Sequence, residues 1–212
     1  MFASKQPPSD DDAQRGVIAA LPAAIWTKLK PRLLAALQSS TRTSPARQPL
    51  ASDESAEWLE ADGLGGFASG TAALVRTRRY HALLLAARAP STGRIALVNG
   101  MDAWIDTPAG RFAISAQRYA PGVVYPDGQS RLREFSIDPW PRWTFELEDG
   151  TCVQQELFVP HGLSAVALRW RTQVASQPAT LLVRPLLSGR DYHALHHQNP
   201  AFRSRPRATA RA

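Results

Sequence analysis

Two short clusters hold most of the side chains that can do chemistry. Arg78-Arg79-Tyr80-His81 and Arg190-Asp191-Tyr192-His193 share one composition: cation, phenol and imidazole within four consecutive positions. Such groups stack on the face of a sugar ring and hydrogen-bond its hydroxyls. They also serve as buried contacts across a domain interface. A third use is internal, with Arg79 or Arg190 paired to Asp191 or Asp62. The residue types alone leave all three uses open.

Other chemistries find less support. His193, His196 and His197 have spacings of three and four, which suit metal ligation from one helix face. Asp191 is the one further oxygen ligand nearby, and the segment leads into a polar end, so solvated histidines are expected and no metal site. No Gly-x-Ser-x-Gly accompanies the histidines, so an elbow-type serine nucleophile is not signalled. Asp62-Gly63-Leu64-Gly65-Gly66 lacks the third glycine and helix start of a dinucleotide loop, and no Lys-Ser/Thr follows Gly70 as in a phosphate loop. No cofactor is expected.

The elements that must hold the two clusters read as strands. Gly63, Gly65, Gly66 and Gly70 make a loop that needs positive φ or close backbone approach, shaped by tertiary contacts. Arg79 to Ala87 is a mostly apolar run of buried-strand type. Arg94 to Ile105 reads as one long strand with a kink at Gly100, reversing at 107–110 into Arg111 to Gln117. Arg118 to Ser130, with two prolines and two glycines, reads as a loop before a strand at Leu132 to Ile137. Arg142 to Glu148 alternates, with Trp143, Phe145 and Leu147 on one side. Asp149-Gly150 predicts a two-residue hairpin into Thr151 to Val159. Ser164 to Thr172 and Ala179 to Leu187 come next, separated by turn residues. Short antiparallel strands with one apolar face each imply two stacked sheets, an all-β antiparallel β-sandwich over 51–202.

The flanks differ in composition. Residues 1–50 carry six of the 17 prolines and the run Asp10-Asp11-Asp12, and predict a largely disordered extension with short helices between Gly16 and Gln38. Residues 203–212 hold four Arg and no acid and read as a disordered basic tail. The net charge of +7 therefore belongs to the ends, because 51–202 hold fourteen Arg against fifteen acids. A nucleic-acid partner is not expected on that distribution. No apolar run approaches the ~20 residues of a membrane span, so no membrane partner is expected either. Cys152 stands alone and suits a reducing cytoplasm.

Several irregular motifs then match one family in register. Trp58-Leu59, Asp62 to Thr71, Thr77 to Leu84, Arg118-Tyr119-Ala120-Pro121-Gly122 with Pro126-Asp127-Gly128, Phe135 to Pro139, Phe158 to Gly162, and Arg184 to His193 resemble the N-terminal domain of bacterial and archaeal glycogen debranching enzymes, of the amylo-α-1,6-glucosidase type. The resemblance covers about residues 55–202. The family usually carries Asn at Asp62, Tyr at Phe67 and Gly at Ala82. It implies a supersandwich-like domain preceding a C-terminal helical (α/α) barrel that holds the two carboxyls needed for glycoside hydrolysis. Glu146, Glu148 and Asp149 read as solvated hairpin residues, and no acid pair stands out in this chain. The expectation is a non-catalytic domain that meets α-glucan through the whole enzyme, in the cytoplasm, and that hydrolyses nothing alone. The basic tail does not resemble the family's continuation toward the barrel, which predicts a truncated or frame-shifted product. The alternatives are a free-standing carbohydrate-binding module and a basic-tailed binder of nucleic acid or acidic surfaces.

Overall fold

The computed structural model describes residues 16–17, 53–89, 93–174 and 178–195. Their strands run β1 (Gly16–Val17), β2 (Glu57–Ala61), β3 (Phe67–Thr71), β4 (Ala82–Ala89), β5 (Gly93–Thr107), β6 (Gly110–Ala113), β7 (Ala116–Tyr119), β8 (Val123–Asp127), β9 (Leu132–Ser136), β10 (Arg142–Glu146), β11 (Cys152–Phe158), β12 (Ala167–Val174) and β13 (Thr180–Asp191). The larger sheet has the order β13-β5-β4-β3-β2, with β6 paired to the far half of β5. The smaller has the order β1-β12-β11-β10-β9, and β7 and β8 form a separate ribbon. Every pairing is antiparallel.

The core lies between the two sheets. Alternation sends Trp143, Phe145 and Leu147 inward from the smaller sheet, while Met101, Ala103 and Ile105 enter from β5. Trp143 joins the layers: its ring meets Trp58 edge-on at 5.5 Å, and its indole N–H donates to the Ala72 carbonyl at 3.0 Å. The all-β sandwich expected from alternation is the architecture observed.

Several details differ from the sequence reading. Arg118 to Ser130 is mostly ordered as the ribbon β7–β8 and a 3-10 turn at Gly128–Arg131. Pro121 and Pro126 disguised it, yet Tyr119, Val123, Val124 and Tyr125 favour extended backbone, and Gly122 at φ +125 turns the chain. The β10–β11 connection is longer than two residues. Gly150 N–H donates to Leu147 O at 3.0 Å, so Glu148-Asp149 take the turn centre and Gly150, at φ +81, comes after it. Gly16–Val17, expected to open a helix, pairs instead with Arg169 and Trp170 of β12. The rest of residues 1–50, His196, His197 and the 203–212 tail lie outside the described residues.

β5 is the single long strand expected, and its kink shows as a register slip opposite Gly100. Trp140 and Trp143 are both buried. Trp143 alternates with the polar Arg142 and Thr144 along β10 and so faces inward, while Trp140 is buried from the break that precedes the strand. The exposed large apolar residues are others, among them Leu59, Tyr119, Val123, Tyr125 and Ile137.

Candidate functional site

The glycine loop is built on Asp62. This buried carboxylate accepts Leu64 N–H at 2.7 Å and Gly66 N–H at 2.9 Å, while Ser164 Oγ donates to its other oxygen at 3.3 Å. Gly162 N–H donates to Asp62 O at 2.7 Å and ties in the β11–β12 connection. Gly63 and Gly65 supply positive φ, +75 and +94. Gly66 and Gly70 supply close approach: a Cβ at Gly66 would lie 2.6 Å from Leu85 O, and one at Gly70 3.1 Å from the Trp58 ring. Asp62 is therefore spent on its own loop and not on Arg79 or Arg190.

The larger sheet brings the two chemically similar clusters together. β4 begins immediately after Tyr80-His81, and β13 ends at Asp191. Arg79 Nη1 donates to His193 O at 3.0 Å, and Arg190 Nη2 donates to Arg79 O. Tyr80 Oη lies 3.3 Å from His193 Nδ1, and its ring centroid is 5.6 Å from that of Tyr192. The Tyr192 and His193 ring centroids lie 3.8 Å apart with the planes tilted by 42°, and the Arg94 guanidinium lies 5.4 Å from the Tyr192 centroid. Clusters about 110 residues apart in sequence thus make one aromatic–cationic patch. Tyr80 and His193 are exposed in it, while Tyr192 is half-buried.

Within the patch the roles divide. Arg190 donates to Ala194 O at 3.0 Å and to Asn99 Oδ1 at 3.3 Å, and burial holds its pKa below the usual arginine value against the pull of Asp191. Asp191 Oδ1 accepts His193 N–H at 2.9 Å and caps the turn. Among the described residues neither Arg79 nor Arg190 forms an ion pair; both bind carbonyls instead. Arg78 pairs with Glu57, whose pKa this hydrogen bond lowers. His81 is buried. Its Nδ1 accepts Thr77 N–H at 3.2 Å and Arg78 N–H at 3.4 Å, and Nε2 sits 3.6 Å from Glu57 Oε1. Burial lowers its pKa, with Glu57 opposing. So His81, Arg190 and Asp191 organise the backbone, Arg78 holds Glu57, and Arg79, Tyr80, Tyr192 and His193 form the outer face.

A pocket of about 70 Å3 adjoins the patch. It runs between the sheets past Trp58, Trp143 and Leu157, and Arg76, Asn99 and Gln117 line it too. Two contacts join it to the patch, Arg190 to Asn99 and Ser69 Oγ to Tyr80 O at 3.3 Å. No Asp or Glu lines it, so two-carboxyl hydrolysis has no footing there. Sequence reading missed Arg76, Arg94, Asn99 and Gln117. Arg76 stands two residues before the first cluster, which was the one available signal.

The family model for the N-terminal region of glycogen debranching enzymes matches residues 56–211. This chain belongs to that family. The match runs past Phe202, where the motif-by-motif resemblance ends, and takes in most of the basic tail. No curated protein and no solved structure matches the chain. The family assignment agrees with the antiparallel sandwich and with the ordered motifs from Trp58 to His193. Among the described residues no helix is long and apolar enough to cross a membrane.

Proposed function

We propose that this sandwich is the non-catalytic N-terminal domain of a glycogen debranching enzyme. It packs against a C-terminal (α/α) barrel and supports that barrel's hydrolysis of α-1,6 branches in glycogen, in the cytoplasm. The observation that carries this reading is the joined patch of Arg79, Tyr80, Tyr192 and His193. Exposed rings held by cations and carbonyls at one end of a sheet are the composition of an interface core. The acid-free lining of the adjoining pocket supports a non-catalytic role.

The test mixes the full 212-residue chain with a separately produced catalytic half of a debranching enzyme. Co-elution is expected, together with glucose release from branched limit dextrin that the chain alone does not give. Tyr80→Ala with Tyr192→Ala should abolish co-elution while leaving the circular dichroism of the chain unchanged. Glucose release by the chain alone, or undiminished co-elution of the folded double variant, overturns the reading.

A further inference from the structure

We propose that the pocket beside the patch binds a hydroxyl or hydroxymethyl group of a neutral sugar. The pocket exists because β5 loses a neighbour along part of its length. β4 pairs with it as far as Val98, and β6 takes over only at Trp104. In between, other groups close the ladder. Gln117 Nε2 donates to Met101 O at 2.8 Å, Ser115 Oγ accepts Ala103 N–H at 2.8 Å, and Ile114 N–H donates to Ala103 O at 2.9 Å.

That repair leaves two polar groups unused. Gln117 is 3 % exposed, and its amide orientation is fixed by the bond to Met101, so Oε1 is buried with no donor. A buried acceptor without a partner is unfavourable and calls for a donor. The Arg76 guanidinium is half-buried and makes no hydrogen bond or ion pair among the described residues. Both flank Gly100. Arg76 Nη1 occupies the space where a Gly100 side chain would stand, and Gln117 Oε1 lies 3.7 Å from that same point.

An empty donor and an empty acceptor around one glycine select a group that both accepts and donates. A hydroxyl accepts from Arg76 and donates to Gln117 Oε1. A carboxylate or phosphate satisfies Arg76 but sets its lone pairs against those of Gln117. The volume, about 70 Å3, takes a hydroxymethyl group and leaves a sugar ring at the mouth, against the half-buried Leu74 and Leu83. This inference stands apart from the interface reading, because its test needs no catalytic half.

Trp58 and Trp143 line the pocket, so tryptophan emission of the full chain reports occupancy. Glucose, maltose and 6-deoxyglucose are titrated as sugars, with acetate and inorganic phosphate as anions. A saturable change with glucose and maltose is expected, weakened about tenfold or more in Arg76→Met, which removes a charge-assisted hydrogen bond. Loss of response with 6-deoxyglucose alone assigns the hydroxymethyl; an equal response assigns a ring hydroxyl. Gln117→Met should weaken binding similarly, and Arg76→Met carries the test if Gln117→Met does not fold. No saturable response to sugar means the pocket holds only water and overturns the proposal. A response to the anions alone, or sugar binding unchanged in Arg76→Met, overturns it too.

Discussion

At the scale of single residues, Asp62 and His81 do the work of wiring loops to the sheet. Asp62 satisfies two backbone N–H groups, one at the exposed Leu64 and one at the buried Gly66, which no apolar residue can do. Asp62→Ala should therefore cost about 1–3 kcal/mol, as the buried Gly66 donor is orphaned while Leu64 N–H turns to water. Asp62→Asn keeps an accepting oxygen and should cost less than about 1.5 kcal/mol. Urea denaturation of the two variants checks the order, and an equal loss in both would mean that charge, not acceptance, matters. His81 gives a pH dependence. Its folded pKa lies below the ordinary 6.5, because burial disfavours the imidazolium and Nδ1 is already accepting two N–H groups. The unfolded chain then binds the extra proton first. Stability is full above about pH 7 and falls as pH drops through 6.5, with a slope of at most about 1.4 kcal/mol per pH unit until the folded pKa is passed. Denaturant midpoints between about pH 5.5 and 7.5 should show this slope, and His81→Gln should flatten it.

At the scale of elements, glycine positions separate two kinds of constraint. Gly128 opens the 3-10 turn after the ribbon, and a Cβ there would lie 2.6 Å from Ser115 O and 2.7 Å from the Ile114 carbonyl carbon. All of these are backbone atoms of one segment, which cannot yield cheaply, so Gly128→Ala should cost about 3 kcal/mol or more. Gly150 has open space around it and only its φ of +81 to protect, so Gly150→Ala should cost about 1–2 kcal/mol. Thermal unfolding of the two variants checks the ranking. The strands themselves were largely legible in the sequence, because alternation at Trp143, Phe145 and Leu147 is a direct record of which side meets the core. The ribbon was not, because Pro121 and Pro126 carry a turn signal that its β-favouring neighbours outweigh only once Ala116 and Val124 pack on Ala73 and Val75. The two clusters were legible as chemistry but not as one site. Nothing local says that the end of β13 returns beside the start of β4; that comes from β5 pairing with both strands. Arg76 and Gln117 were invisible for the same reason, since their value depends on a gap in the ladder of β5.

At the scale of the whole molecule, one core spans both sheets, and Trp143 is its main tie. The ring belongs to β10, yet it touches Trp58 of β2 and donates to Ala72 just beyond β3. Neither sheet covers its own apolar face, so the two should unfold together in a single transition. Trp143→Phe keeps the contact with Trp58 but strands the Ala72 carbonyl and should cost about 1–3 kcal/mol. Trp143→Ala also opens a large cavity against the existing pocket and should cost about 3–5 kcal/mol or more. Against a total of about 5–15 kcal/mol for a folded domain, that loss is a large fraction of the whole stability. The measurement is denaturation monitored by both far-ultraviolet dichroism and tryptophan emission. Coincident curves are expected for the wild type and for Trp143→Phe, shifted to lower denaturant in the variant. Separate midpoints, with one sheet outlasting the other, would show that the layers are independent and that the pocket between them is not a fixed feature of the fold.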